Sequence, residues 1–398
     1  MEGYLLDWAS LLLRWLHVIV AIAWIGSSFY FVWLDNSLQA PTDDALKQKG
    51  VGGELWAVHG GGFYNPQKYL GAPPKLPQDL HWFYWESYST WLSGFALFSL
   101  VYLFNPKIFL IDPEIAALTP MAATVLALAF LMVGWIVYDL LCRILQQRER
   151  LLAVLTIAYI VAASWAACNL FSGRAAFLII GAMMATIMSA NVFFWIIPGQ
   201  RKMVTAMKAG QPVDPIHSQR GKQRSVQNTY FTLPVVFAML SNHYSMTYSH
   251  PYNWLVLVLI MAVGVLSRQF FLLRHKGVIS MVYPTLAIAL LAGVMTWMAV
   301  PNSNRPSPDT TAKKQTVDIV QVQSLVQVHC IQCHAAKPSL MPTAAKGITF
   351  DTPAQISKHA PLIYQQVVLQ KNMPLGNITK MTDEERALIA AWYESGIK

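Results

Sequence analysis

Eight apolar segments constrain the fold of this chain more than any other feature of its sequence. They cover residues 5–34, 89–104, 117–139, 151–171, 174–197, 229–240, 254–271 and 278–300. A helix of ~20 residues crosses the ~30 Å of hydrocarbon in a bilayer, and the second and sixth segments approach that length if they extend into "WFYWESYST" and "LSNHYS". Charged residues make up 12% of the chain, against ~25% in soluble domains. The sequence therefore predicts an all-α fold built on an eight-helix transmembrane bundle.

The connections between these segments alternate in charge. Those at 139–150, 198–228 and 268–277 are rich in Lys and Arg, and 35–88 adds four lysines, whereas 105–116, 172–173 and 241–253 contain no basic residue except Lys107. Basic loops stay in the cytoplasm, so an even number of spans places both termini outside. We expect a multi-pass protein of a bacterial inner membrane with periplasmic termini. Because short loops account for the net charge of +9, the expected partner is the lipid bilayer and not nucleic acid.

The composition changes abruptly after the eighth segment. Residues 301–316, "PNSNRPSPDTTAKKQT", are polar and rich in Pro and Ser, which is typical of a flexible linker. Residues 317–398 then have the composition of a small soluble domain. The predicted organisation is a transmembrane domain (1–300), a linker (301–316) and a C-terminal domain (317–398).

The C-terminal domain contains the motif "CIQCH". Cys330 and Cys333 are one helical turn apart, so their thiols reach one edge of a porphyrin, and the adjacent His334 serves as proximal iron ligand. A zinc site is the competing interpretation, but it needs a second ligand pair, and His359 has no such partner. The motif therefore predicts a covalently attached haem c. Haem c is attached outside the cytoplasm, in agreement with the topology predicted from the loops.

The rest of this domain resembles the second half of a class I cytochrome c. The loop "MPLGN" precedes an amphipathic helix in which Thr382 and Glu385 have the spacing of a capping box. Met373 is the predicted second axial ligand, since Met/His ligation raises the potential of an electron acceptor. Met341 lies only seven residues after His334, too close to reach the opposite face of the haem, and Met381 is assigned to packing.

Several segments of the bundle resemble the membrane-bound urate oxidases of the PuuD type (urate hydroxylases), which carry a fused C-terminal cytochrome c. The resemblance covers essentially the whole chain. The stretches that carry it are "LRWLHVIVAIAWIGSSFYFVWLD", "GGFYNPQKYLGAPPKLPQDLHWFYWESYSTWLSG", "QRSVQNTYFTLPVVFAMLSNHYS", "CIQCH" and "MPLGN". It implies oxidation of urate to 5-hydroxyisourate with water as the oxygen source. Electrons would pass through haem c to a soluble or membrane cytochrome c or a cytochrome oxidase, without formation of hydrogen peroxide.

Urate is a planar anion with many hydrogen-bonding groups, so its site needs amide or cationic partners and an aromatic face. Gln227, Asn228 and Asn242 are the predicted partners for its edges. Asn242 is also explained as the cap of a helix end.

The aromatic face is assigned to Trp82, with Phe63 and Tyr84 as alternatives, although aromatic residues near a membrane boundary are often interface anchors. The reaction also needs a general base. Glu86 or His81 is the predicted base, because a carboxylate at the mouth of a span is costly unless it has a function.

His17 lies near the middle of the first segment. It is a predicted ligand of a haem b in the bundle, with His243 as second ligand, because electrons from a cytoplasmic substrate site must otherwise cross much of the ~30 Å core unaided. "LH" followed by "AW" and "FY" also resembles the first helix of membrane protoporphyrinogen oxidases, which bind haem. A buried histidine hydrogen-bonded to a neighbouring helix is the competing interpretation.

Two other functions fit a membrane protein with a haem-bearing domain. The bundle is a simple anchor for an electron-shuttling cytochrome c, or it oxidises a quinol. The anchor needs no intramembrane His, Glu or Asn, which this chain has. Reduction by a quinol but not by urate would identify the second.

Overall fold

The computed structural model describes residues 2–71, 73–146, 148–299, 317–341 and 343–395. The predicted linker, 301–316, and the last residue of the eighth predicted segment lie outside the described residues. The protein is mostly helical.

Eight long helices follow one another in residues 2–299, and each overlaps one predicted apolar segment. They are α1 (Glu2–Ser37), α2 (Trp85–Phe98), α3 (Pro120–Leu145), α4 (Glu149–Cys168), α5 (Gly173–Asn191), α6 (Pro215–Leu240), α7 (Asn253–His275) and α8 (Val282–Ala299). A π-helix, Ser99–Leu103, extends α2, and a second, Val192–Ile196, leads from α5 into the helix Ile197–Lys208. The start of α3 has the expected local signals, a Thr119 cap that accepts a hydrogen bond from the Ala122 N–H and a proline at the first position.

Among the described residues, six helices are long and apolar enough to cross a membrane: α1, α3, α4, α5 with its extension, α7 and α8. Two helices fall short, since α2 has only 14 residues and α6 opens with the polar stretch "PIHSQRGKQRSVQN". Large apolar side chains are exposed along the spans, for example Ile22, Met132 and Ile288. Such an extended apolar surface fits contact with lipid. The structure thus supports a membrane protein, and the count of eight spans stays a prediction.

Helix α5 occupies the centre of the bundle. Of its most apolar stretch, 67% is buried inside the protein, against 0% for α1. Its fully buried Phe177, Ile180 and Met183 join one core cluster with Tyr138 of α3 and Leu257 of α7. The other helices therefore pack around α5, and its two ends mark the two ends of the bundle.

The connection between α1 and α2 contains strands that the all-α prediction missed. Val51–Glu54 pairs antiparallel with Gln67–Tyr69, and Ala57–His59 with Gly62–Tyr64. The inner hairpin turns at Gly60 and Gly61, whose φ angles of +57° and +80° suit a glycine turn. The strands are three or four residues long, too short for the hydrophobic pattern to reveal.

Two predicted connections are largely helical. Residues assigned to 198–228 lie in the helix Ile197–Lys208 and in α6, and Arg268, assigned to 268–277, lies in α7. The prediction that Arg224 and Arg268 lie in loops is wrong, because both lie in helices and their side chains are buried, at 2% and 3% exposure. A count of basic residues does not distinguish an arginine that faces water from one that faces the bundle interior.

Residues 317–395 form an apolar cluster of their own. It includes Val322 and Val326 of α9 (Ile319–His329) and Ile389 and Trp392 of α10 (Asp383–Glu394). The predicted capping box is present at α10: the Thr382 hydroxyl accepts from the Glu385 N–H, and the Glu385 carboxylate accepts from the Thr382 N–H. Short helices connect these two, at Ile331–His334, Pro353–Lys358 and Ala360–Ile363. We call this part of the chain the tail.

The tail contacts the bundle through the loop around Met373, residues 372–377. The Asn377 amide donates to the Glu114 carboxylate, and the Ser249 hydroxyl donates to Asn372 Oδ1 at 3.5 Å. Gly376 lies so close that a Cβ there would be 2.8 Å from the Ile111 carbonyl oxygen. We call the end of the bundle that carries this contact the tail end, and the opposite end, which carries Asp139 and Arg224, the basic end.

Replacement of Gly376 by Ala is therefore expected to detach the tail from the bundle. Gly376 has a φ of +60° and Gly347 a φ of +66°, but a Cβ at Gly347 would meet nothing within 4 Å. Both substitutions carry the same backbone cost of roughly 1–2 kcal/mol for a left-handed conformation, and Gly376→Ala alone adds a clash with the bundle. We predict at least ~10-fold faster hydrogen exchange in residues 108–114 for Gly376→Ala and no change there for Gly347→Ala. Equal protection in both variants would contradict the docking contact.

Candidate functional site

A buried ion pair joins α3 and α6 at the basic end. Arg224 donates through Nη2 to Asp139 Oδ1 at 2.7 Å and through Nη1 to Asn191 Oδ1 at 2.8 Å. The other carboxylate oxygen of Asp139 accepts from Arg143 Nε at 2.7 Å, and the Arg224 guanidinium lies 4.3 Å from the Trp195 ring centre. Each charged group thus has an oppositely charged partner, and Arg224 also has an amide oxygen as hydrogen-bond acceptor, as burial requires. A cleft of about 310 Å³ opens beside this cluster.

Gln227 and Asn228, predicted to bind substrate, belong to the same network. Asn228 Oδ1 accepts from Asn191 Nδ2 at 2.8 Å, and Asn228 Nδ2 donates to the Met188 carbonyl at 3.0 Å. The Tyr138 hydroxyl donates to Gln227 Oε1. In this structure both amide side chains hold α3, α5 and α6 together.

Asn242, the third predicted substrate residue, lies at the tail end. Its Oδ1 accepts from the Tyr102 hydroxyl at 3.1 Å and from Arg174 Nε at 3.2 Å. Arg174 is the second residue of α5 and Asn191 is the last, a separation of about 26 Å at 1.5 Å per residue. The structure therefore does not bring Asn242 together with Gln227 and Asn228.

The predicted bases lie near the basic end. The Ser87 hydroxyl is 3.0 Å from that of Ser189, two residues before the end of α5, so Glu86 is at this level. Its Oε2 is buried and has no hydrogen-bond partner among the described residues. His81 is exposed, with its ring 4.6 Å from that of Phe83. The neighbouring Trp82 is half-buried, and so is the alternative Tyr84. The other alternative, Phe63, is 77% exposed.

His17 sits between α1 and α2. Its Nδ1 is 3.1 Å from both the Thr90 carbonyl and the Ser93 hydroxyl. Gly94 makes room for the ring, since a Cβ there would be 2.8 Å from His17 Cε1. Bonding of Nδ1 to a carbonyl is found for packed histidines and for metal-bound ones, in which Nε2 is the ligand atom.

His243, the predicted second haem b ligand, is exposed and adjoins Asn242 at the tail end. Ser93, which contacts His17, is nine residues from Tyr102, which contacts Asn242. This is an axial offset of about 13 Å. His243 is therefore not placed beside His17, and the haem b stays a prediction.

The residues of the haem motif fit a haem c. His334 Nδ1 donates to the Ile348 carbonyl at 3.0 Å, which directs Nε2 away from the backbone as an iron ligand requires. Burial raises the pKa of the Cys330 thiol to about 12. Met373 packs on the tail core, and Arg386 Nη1 donates to its carbonyl at 2.7 Å.

Comparison with known proteins bears on the bundle. Residues 3–299 match the family described as urate oxidase N-terminal. The chain belongs to the urate oxidase N-terminal family. No curated protein and no solved structure shows a significant match. The family match spans all eight helices of the bundle and ends before the tail, so it supports a urate-related oxidoreductase and leaves the haem assignment to the motif alone.

Sequence reasoning missed three buried residues of this urate oxidase N-terminal bundle, Asp139, Arg224 and Arg268, and the half-buried Trp195. Asp139 and Arg143 are spaced i,i+4 at the end of a span, which is a signal for a helix-surface pair. The partner Arg224 was counted with the loop charges. Its position one turn before Gln227 and Asn228, which were recognised as polar residues of the interior, is the signal that would have found it.

We expect Arg224→Ala to destabilise this family member far more than Arg143→Ala. Both arginines bond Asp139, but the Arg224 side chain is 3% exposed and that of Arg143 59%. Loss of one partner from a buried pair costs about 3–5 kcal/mol, whereas an exposed partner contributes about 0–1 kcal/mol. Thermal unfolding of the purified variants in one detergent measures the difference. Equal losses would show that the pair does not hold α3 and α6 together.

Proposed function

We propose that the chain is a membrane urate hydroxylase that oxidises urate to 5-hydroxyisourate and delivers the electrons to a haem c on its own tail. The observation that carries the proposal is the match of the whole bundle to the urate oxidase N-terminal family. Support for the acceptor comes from the motif at Cys330, Cys333 and His334 and from the contact of the Met373 loop with the bundle.

The proposed reaction balances without oxygen gas. Urate and water give 5-hydroxyisourate, two protons and two electrons, and the new C–O bond takes its oxygen from water. When bound, haem c supplies an iron that accepts and releases one electron at a time. Two transfers per turnover pass onward to a soluble or membrane cytochrome c or to a cytochrome oxidase, and no hydrogen peroxide forms. On this proposal the tail is periplasmic and the protein lies in a bacterial inner membrane.

Glu86 is the proposed general base. Its buried, unpartnered carboxylate oxygen is free to accept a proton from urate or from the attacking water. His81 is exposed and packs on Phe83, which favours Glu86 of the two candidates. Trp82, partly buried four residues before Glu86, is the proposed stacking face.

The oxygen source tests the function directly. Turnover of urate in water enriched in oxygen-18, without oxygen gas and with oxidised cytochrome c as acceptor, is expected to yield product with one labelled oxygen. The same reaction in air should release no hydrogen peroxide. Unlabelled product, or a requirement for oxygen gas, would contradict the proposal.

The role of Glu86 is tested by Glu86→Gln. We expect kcat to fall about 100- to 10,000-fold, the usual contribution of a general base, with haem content unchanged. Glu149→Gln is the matched control, because Glu149 also lies in the first turn of a helix but is exposed. A Glu86→Gln variant as active as the control would remove Glu86 from the mechanism.

A further inference from the structure

Arg268 is buried in α7 without an anionic partner. The residue is 3% exposed, and neither Nε nor Nη2 of its guanidinium has a hydrogen-bond acceptor among the described residues. The guanidinium carbon lies 3.9 Å from the ring centre of Phe29 on α1. A charge in this position is costly unless an anion or several acceptors meet it.

The neighbouring helices supply no carboxylate for this arginine. Helices α6, α7 and α8 contain no Asp or Glu. On α1, Asp35 lies six residues beyond Phe29 and forms an ion pair with Lys68. Arg224 shows the contrast, since the same bundle gives that guanidinium both Asp139 and Asn191. The protein thus neutralises one buried arginine and leaves the other with two unused donors.

The two unused donors have a specific geometry. Nε–H and Nη2–H point in parallel from one edge of the guanidinium plane, which is the fork that binds a planar anion through two hydrogen bonds. Phe29 covers the face of the same plane. A flat anion in line with the fork extends along the aromatic side of α1, where ring stacking adds to the charge interaction.

Arg268 lies on the same side of His17 as Glu86. Phe29 follows His17 by twelve residues on α1, toward the basic end, about 18 Å along the axis. Glu86 precedes Thr90, the residue bonded to His17, by one turn of α2, and lies at the basic-end level of Ser189. The buried guanidinium of Arg268 and the unpartnered carboxylate oxygen of Glu86 therefore belong to the same half of the bundle.

We propose that Arg268 is the residue that binds the urate anion, through the Nε–Nη2 fork, between α1 and α7. This inference rests on the proposed function, and it assigns substrate recognition to a side chain inside the bundle. It also separates recognition of the anion, by Arg268, from proton transfer, by Glu86.

Steady-state kinetics of the full-length protein in nanodiscs test the proposal. For Arg268→Gln we expect the KM for urate to rise about 10- to 100-fold, which is the loss expected when hydrogen bonds to a charged group are removed. We expect kcat to change less than about 3-fold, because the substitution weakens substrate binding and leaves the chemical step intact. Arg268→Lys keeps the charge without the planar fork and should also raise KM. Arg274→Gln is the matched control, since Arg274 is exposed in the last turn of α7.

The outcomes separate the two proposals. If the wild type and Arg274→Gln oxidise urate and both Arg268 variants keep the wild-type KM, the assignment of Arg268 is wrong and the function stands. If the wild type does not oxidise urate, both proposals fail. If the true ligand of Arg268 is a lipid phosphate, the KM for urate stays unchanged in the variants. Anionic lipid then stabilises the wild type but not the variants, and this result also overturns the assignment.

A second measurement uses only the wild-type protein and tests the proposal even if the Arg268 variants do not fold. The wild-type protein is irradiated with an azido-substituted xanthine, and the labelled peptides are identified by mass spectrometry. Labelling of residues 25–33 of α1 or 264–272 of α7, suppressed by excess urate, supports the site. Labelling confined to the cleft beside Arg224 and Trp195 would overturn it.

Discussion

The interior of a membrane-spanning bundle gives polar groups no water, so each buried charge needs a partner within the protein or a ligand. This constraint organises the whole structure. At the basic end, Arg224 joins three elements through Asp139, Asn191 and the Trp195 ring. At the tail end, Arg174, Tyr102 and Asn242 satisfy one another. Between them α5 presents only apolar side chains to most of the core. Among the described Asp, Glu, Lys and Arg side chains, Arg268 and Glu86 have buried polar atoms without a hydrogen-bond partner, and such a charged group is where a ligand or a reaction is expected.

The distance between the two ends of α5 also bears on electron transfer in the proposed reaction. Glu86 and Arg268 lie toward the basic end, whereas the Met373 loop of the tail contacts the tail end. About 27 Å of helix separates these ends, so in the proposed reaction the electrons from urate would have to travel through the bundle. His17 lies between them, held by Thr90 and Ser93. This position favours the predicted redox cofactor at His17, although the exposed His243 is not placed to be its second ligand.

Much of the fold was predictable, and the reasons differ by element. Eight helices lie where the apolar segments are, because length and hydropathy decide helix formation in a bilayer. The capping box at Thr382 and Glu385 was predictable because it depends on residues three apart. The grouping of the site residues was not. Asn242 and Asn228 are only 14 positions apart in the chain, yet α6 carries them to opposite ends, and Arg224 and Arg268 were assigned to loops by their charge although they face the interior. Tertiary packing decides such cases, and no local pattern reports it.

The central claim is that electrons from urate reach a haem on the protein's own tail. The most direct measurement is rapid mixing of urate with the oxidised, purified protein in the absence of oxygen, with the haem c absorption followed in time. The account predicts that each urate reduces two tails, since its oxidation releases two electrons and each haem accepts one. Normal reduction by dithionite with none by urate would contradict it, and reduction by a quinol in the same experiment would identify the bundle as a quinol oxidase instead.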